Sequence, residues 1–95
     1  MAHRVAWSPR ALADLEAIAE YIATDSAAYA KGVVRRITDQ TRSLSRFPRL
    51  GRKVPEFDDE SIRELQAYSY RVIYRIDREE VTIAAIVHGK RDLKV

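Results

Sequence analysis

The side chains of this sequence that could do chemistry collect near its end: Arg71, Arg75, His88, Lys90 and Arg91. A histidine titrates near neutrality, and arginines stabilise the charge that builds on a phosphoryl group in its transition state. Together they make RNA cleavage by 2′-hydroxyl attack conceivable. The plainer reading is that His88 ends a strand and that Lys90 and Arg91 open a solvated tail. Other chemistries are poorly supplied. There is no cysteine, and His3 lies far from His88, so the sequence offers neither a thiolate site nor histidines at metal-ligand spacing. The acids Asp58, Asp59 and Glu60 fall in a loop, where carboxylates are usually solvated. No nucleophile triad, P-loop or glycine-rich phosphate cradle is present. No metal and no cofactor is expected.

Placing those residues requires the elements. His3 to Trp7 reads as a short strand, and Ser8-Pro9 as a helix start: serine caps, and proline suits a first turn whose N–H would be unpaired anyway. Leu12, Leu15, Ile18, Ala19 and Ile22 then recur at helical spacing, predicting a helix over roughly residues 9–24. Asp25 or Ser26 can cap a second helix, whose stripe is Ala30, Val33, Val34, Ile37, Leu44 and Phe47, stopped by Pro48. So short a break folds the two back as an antiparallel hairpin. Residues 46–56 read as loop, and Ile62 to Leu65 as a short strand.

The period then becomes two. Tyr70 to Ile76 and Val81 to Val87 form a hairpin across Asp77-Arg78-Glu79-Glu80. A loop centred on Arg78-Glu79 pairs Ile76 with Val81, Tyr74 with Ile83, Val72 with Ala85 and Tyr70 with Val87, an apolar face to cover the helices. The other face then opposes Arg71 to Ile86, Ile73 to Ala84 and Arg75 to Thr82, with His88 diagonal to Arg71. On this register the open face carries arginines around an apolar floor of Ile73, Ala84 and Ile86, the make-up of a partner-binding surface. The expected core is Val5, Leu12, Leu15, Ile18, Ile22, Val34, Ile37, Leu44, Phe47, Val72, Tyr74, Ile76, Val81, Ile83 and Ala85. The fold class is α/β (α+β): a helical hairpin on one face of a mainly antiparallel sheet of about four strands, in one domain over 1–95.

The 95 residues are 46% hydrophobic and 33% charged, a globular composition. No apolar run nears the ~20 residues that span a bilayer, and the N-terminus lacks a signal-peptide core, so the expected address is the cytoplasm, with no membrane partner. The net charge of +3 is too mild to define a nucleic-acid binder, but its distribution is uneven. Arg35, Arg36, Arg42, Arg46, Arg49, Arg52 and Lys53 face only Asp39 over residues 35–53. Glu56, Asp58, Asp59, Glu60 and Glu64 follow, against Arg63. Such runs are read either as a solvated helix face beside an acidic loop or as a basic surface for an anionic partner.

An ordered set of short motifs resembles the RelE/ParE toxin superfamily: Val5-Ala6-Trp7-Ser8-Pro9, Ala13-Asp14-Leu15, Tyr21-Ile22-Ala23, Phe47-Pro48-Arg49-Leu50-Gly51-Arg52, Ile62-Arg63-Glu64-Leu65, Tyr70 to Ile76, and His88-Gly89-Lys90-Arg91. The resemblance implies the toxin of a bacterial toxin–antitoxin pair, hetero-oligomeric with its antitoxin. RelE-like members cleave mRNA in the ribosome; there the resemblance places Arg71 and Arg91 on the family's arginines. The family's lysines, however, align with Glu64 and Gln66, and no tyrosine follows Arg91. A carboxylate is the wrong charge for RNA phosphate. The loop over 47–52 and the ending at 88–91 look more like ParE-type toxins, which poison DNA gyrase by binding.

These readings give an expected target surface of Arg71, Arg75, His88, Lys90 and Arg91, reduced to Arg71, His88 and Arg91 if the chain is a ribonuclease. The antitoxin is expected to meet Ile73, Ala84 and Ile86, or the helix-hairpin grooves, with acidic residues beside aliphatic anchors. Arg71 on an open face predicts that Arg71→Ala costs only ~0–0.5 kcal/mol. The competing expectation is that Arg71 pairs with a local acid such as Glu64, so that its loss lowers stability instead.

Overall fold

A five-stranded sheet in the order β1-β5-β4-β3-β2 carries two helices on one face. The computed structural model describes residues 2–90 and residue 93. In chain order the elements are β1 (Arg4–Trp7), α1 (Pro9–Ala23), α2 (Ala27–Ser43), β2 (Arg52–Lys53), β3 (Ile62–Ala67), β4 (Tyr70–Ile76) and β5 (Glu80–His88). β1 runs parallel to β5, and the other three pairings are antiparallel. The sheet therefore has one strand more than expected, the two residues of β2, and no helix among the described residues is long and apolar enough to cross a membrane.

The helices begin where the capping chemistry places them. The Ser8 hydroxyl accepts from the Ala11 N–H at 3.0 Å with Pro9 in the first turn, and Ser26 accepts from the Tyr29 N–H at 3.0 Å. Ala30, Val33, Ile37 and Thr41 put one face of α2 into the core, and Leu44 caps its end. The helix stops at Ser43, so the stripe does not carry on to Phe47, which is exposed. Leu12 is also exposed. The buried position of α1's first turns is Ala11, and a residue one step along a helix is turned about 100° away.

The hairpin of β4 and β5 keeps the expected register only in its first half. Ile76 pairs with Val81, Arg75 with Thr82 and Tyr74 with Ile83. Ala84 is then left over as a β-bulge, so Ile73 pairs with Ala85, Val72 with Ile86, Arg71 with Val87 and Tyr70 with His88. Beyond the bulge the faces of β5 are exchanged. Ile86 joins the helix-covered core with Val72, Tyr74, Val81 and Ile83, whereas Ala85 packs on the outer face.

Tyr74 ties the sheet to the loop before β2. Its ring is fully buried, its hydroxyl donates to the Pro48 carbonyl at 2.7 Å, and it accepts from the Gly51 N–H at 2.9 Å. Burial pushes the phenol's pKa up, which keeps the donating proton in place. Gly51 leaves no room for a side chain: a Cβ would meet the Glu64 carbonyl and lie 2.8 Å from the Tyr74 hydroxyl. Arg63 donates to the Gly51 carbonyl at 2.9 Å from the far side. Tyr74→Phe orphans two backbone groups without changing packing, and should cost about 1–3 kcal/mol in urea unfolding. An unchanged midpoint would mean that the loop is held by other contacts.

Candidate functional site

The outer face of the sheet is built by the second half of the bulged hairpin. Ile73 and Val87 are buried there under Val54, with Phe57, Ile62, Ala85 and Leu93 packed around them. The floor expected from the sequence is thus present in altered form: Ile73 belongs to it, Ile86 has gone to the opposite core, and Ala84 sits at the bulge with its carbonyl bonded to Ser8. A hollow of about 550 Å³ runs across this face, with Arg10, Arg75 and Thr82 on its lining.

Next to it, charges are packed almost out of water. Arg71 is 7% exposed and Glu64 5%. The Arg71 guanidinium donates from Nη1 and Nη2 to the two Glu56 oxygens at 2.9 and 2.8 Å, and from Nε to Glu64 Oε1 at 2.8 Å. Arg52 Nε reaches the other Glu64 oxygen at 2.7 Å, and the Leu93 N–H donates to Glu56 Oε2 at 3.0 Å. Strand register explains half of this: Glu64 lies opposite Arg52 on one side, and Gln66, two residues along the same face, lies opposite Arg71 on the other. The loop after β2 brings in Glu56. Its hydrogen bonds from Arg71 first and from Leu93 second hold the Glu56 carboxyl down at about 2, against the opposing effect of burial. The same bond to Glu56 raises the Arg71 pKa, ahead of the contribution of Glu64.

The set expected to act together is therefore distributed. Arg71 is engaged in the cluster. Arg75 is exposed at the other end of the strand, 3.9 Å from Asp77. His88 is not diagonal to Arg71 on one face; the bulge turns it to the opposite face, where its ring stands edge-on to Tyr70 at 6.0 Å. Lys90 is exposed in the turn after β5, its N–H donating to His88 Nδ1 at 3.3 Å. Arg91 lies outside the described residues. No group of three metal-binding side chains occurs among the described residues. The basic and acidic runs of the sequence meet in space, as Arg49 with Glu60, Lys53 with Asp58 and Arg52 with Glu64. Glu56 is the member of this cluster that the sequence signals least, by its place at the head of that acidic run alone.

A two-helix hairpin over a mainly antiparallel sheet of this order is the fold of the RelE/ParE toxins. A chain of the chromosomal ParDE TA system from P. aeruginosa superposes with a TM-score of 0.76 at 23% identity, covering 93% of this chain and 97% of that one. A chain of the M. tuberculosis RelBE2 toxin–antitoxin complex gives 0.65 at 22% identity, over 93% and 99%. An E. coli RelE mutant in the free state gives 0.67 at 19%, over 95% and 86%. No curated protein sequence matches the chain. The family model described as the ParE toxin of the type II toxin-antitoxin system parDE matches residues 5–93. The chain belongs to that family and is a type II toxin of the ParE kind.

Two outcomes follow from the cluster. Arg71→Ala would leave Glu56 and Glu64 facing each other with Arg52 alone to compensate. It should cost about 3 kcal/mol, the low end for breaking a buried pair, rather than the fraction expected of a surface change. Chemical unfolding reads this directly, and a cost below about 0.5 kcal/mol would show the cluster to be energetically idle. The second outcome is acid sensitivity. Glu56 has its folded pKa below the ordinary 4.5, so its stabilising effect is complete above that value and is lost as pH falls toward about 2. Thermal melts taken from neutral pH down to pH ~2 should show Glu56→Gln with a flatter profile in that window than the parent chain. Parallel profiles would contradict the role given to Glu56.

Proposed function

We propose that this toxin acts by binding DNA gyrase, without cleaving RNA, and is held inactive by a cognate antitoxin. The observation that carries the reading is the state of Arg71. An arginine that stabilises a phosphoryl transition state must be free to meet it, and a general acid or base must reach the same atom. Arg71 is embraced by Glu56 and Glu64, and His88 projects from the other face of the sheet. A phosphate arriving at Arg71 would meet two carboxylates first. This supports a toxin that works through its surface, with Arg75 and Lys90 exposed to contact the target. Arg71 then serves by holding the outer face in shape.

The antitoxin reading draws on the surface of the helical hairpin. A groove of about 1010 Å³ runs along α1 and α2, floored by the buried Ala30 with Ala19, Ala23 and Ala27 around it; Lys31, Arg35 and Arg42 outnumber Glu20 and Asp39 on its lining. Small lining residues admit the close approach of a helix, and the excess of cations suits acidic side chains flanking its aliphatic anchors. A segment of that kind commonly orders only when it binds.

The test is to add the purified chain to gyrase supercoiling reactions and, separately, to translating ribosomes. Loss of supercoiling with broken DNA and intact mRNA is the expected result, relieved by the co-purified antitoxin. Cleaved ribosome-bound mRNA with normal supercoiling would overturn it in favour of a RelE-type endonuclease. A chain without effect in either assay would leave antitoxin binding as its role and equally overturn the gyrase reading.

A further inference from the structure

Four of the chain's five tyrosines line one hollow at one end of the molecule. Tyr21 comes from the last turns of α1, Tyr29 from the first turn of α2, Tyr68 from the β3–β4 turn and Tyr70 from the start of β4. Ile22, Asp25, Ser26 and Ser69 complete the walls of a space of about 260 Å³. Isolated exposed aromatics need no explanation, but rings brought together from four separate elements are a different matter. Tyr21 is 75% exposed and Tyr68 48%, so neither is there to fill the core. The rings are nonetheless ordered against each other. Tyr29 and Tyr68 meet edge-to-face at 5.9 Å and 70°, and Tyr70 stands edge-on to His88.

The backbone beneath Tyr68 adds an independent observation. Ala67 and Tyr70 are paired, which leaves Tyr68 and Ser69 as a two-residue hairpin loop. Tyr68 has φ +55°, in the left-handed region where a hairpin of this length favours glycine or asparagine. A large aromatic side chain is uncommon there and carries backbone strain. The fold recovers little of that cost, because half of the ring stays in water. What the strained turn does achieve is to place Tyr68 on the lining of the hollow, against Tyr29 and Arg36.

The walls also say what would fit. Faces of tyrosine rings are electron-rich, and the single charge among the lining residues is the carboxylate of Asp25, which takes part in no ion pair among the described residues. Arg36 already lays its guanidinium over the Tyr68 ring, with its central carbon 5.6 Å from the centroid, so this ring accepts a cation. A platform for stacked bases would have a row of cations to meet successive phosphates; here the lining residues carry none, and Arg36 against Tyr68 is a single cation already engaged with a ring. The volume falls below the ~300–1,000 Å³ of sites that enclose a whole small ligand. It is on the scale of one side chain.

We propose that this hollow is a socket for a lysine or arginine side chain presented by a partner protein. The cation would lie between the rings of Tyr21 and Tyr29, beside the Tyr68 ring that Arg36 already covers, and pair with Asp25. Tyrosines in such a position are the residues on which interface energy concentrates. The socket is separate from the outer sheet face and from the groove along the helical hairpin. It does not depend on which target the toxin attacks.

The test is an amide NMR titration of the full chain with a capped pentapeptide, glycines flanking a central arginine. Matched peptides carrying norleucine or glutamate at the centre, and a single-stranded oligothymidylate, serve as controls. The arginine peptide should shift the amides of Asp25, Tyr29, Tyr68 and Ser69 saturably, and the norleucine and glutamate peptides should not. Asp25→Asn, on an exposed residue with no ion pair among the described residues, should weaken binding at least about twofold, as the loss of one exposed ion pair does. Tyr68→Gly should abolish the shifts while leaving Tm equal or higher, since glycine suits that backbone; a residue kept for stability would lower Tm. Equal shifts with norleucine would overturn the proposal in favour of a plain apolar contact. Tighter binding of oligothymidylate to the same amides would overturn it in favour of nucleic acid. No saturable shift with any probe would overturn it outright.

Discussion

One extra residue in β5 decides which face of the sheet each later residue of that strand serves. Ala84 has no partner across β4, and from there Ile86 turns inward, Val87 outward and His88 toward Tyr70. A bulge leaves backbone groups without ladder partners, and buried ones must be satisfied elsewhere. The start of α1 supplies them. The Ser8 N–H donates to the Ile83 carbonyl at 2.9 Å, the Ser8 hydroxyl donates to the Ala84 carbonyl at 2.9 Å, and the Ile86 N–H donates to Asp14 Oδ2 at 2.9 Å. The same hydroxyl accepts from the Ala11 N–H, and Arg10 holds Asp14 at 3.2 Å. Ser8 thus caps the helix and clamps the bulge with one oxygen. β1 can stop at Trp7 because side chains from α1 take over where the strand ends.

The charged cluster is a consequence of this exchange of faces. With Val87 turned outward beside Ile73, the sheet has a second apolar surface, and the loop carrying Val54 and Phe57 folds over it. That cover brings Glu56 onto Arg71, burying Arg71 and taking most of Glu56 out of water. Desolvating charges costs more than a simple pair returns, so such a group persists only when every oxygen and N–H finds a partner. The bidentate contact, Arg52 on the second Glu64 oxygen and the Leu93 N–H on Glu56 supply those partners. Residue 93 is fixed by the same arrangement, through its amide and through its side chain on the outer patch.

Much of the fold was legible because its signals are local. Ser8-Pro9 and Ser26 start helices for reasons of capping, and the turn at residues 77–79 fixes three strand pairs by proximity. The bulge was not legible, and the cause lies in β5 itself. Ile83, Ala84, Ala85, Ile86 and Val87 are all apolar, so Val72 finds an apolar partner in Ala85 or in Ile86 alike. Period-two reasoning has no purchase on such a run. The decisive information sits in Ser8 and Asp14, some 70 residues away in sequence. The cluster was half legible: Glu64 stood out as a carboxylate near Arg71, while Glu56 arrives by a loop whose path no periodicity describes. Leu12 and Phe47 show two other failures: Leu12 is one residue from the buried position at Ala11, and Phe47 extends the stripe past the end of α2 at Ser43.

The way charge is spent on the sheet determines where it remains. Arg49, Arg52, Lys53, Arg63 and Arg71 are each matched to an acid, so the end of the molecule that holds the sheet's loops is close to neutral outside. The excess stays on α2 and just beyond it, where Lys31, Arg35, Arg36, Arg42 and Arg46 meet only Asp39. On α1 the sign is reversed, with Glu16 and Glu20 exposed and Asp25 following its end. A net charge of +3 therefore understates the field: one helix draws anionic partners and its neighbour cationic ones, each within about a Debye length of the other. Complementarity of that kind orients an approaching protein before any contact forms and sets the rate of encounter. Affinity must then come from apolar ground, which the outer face and the alanine-floored groove provide. The structure keeps its strongest charge pairs for holding shape and leaves its unpaired charges where a partner can meet them.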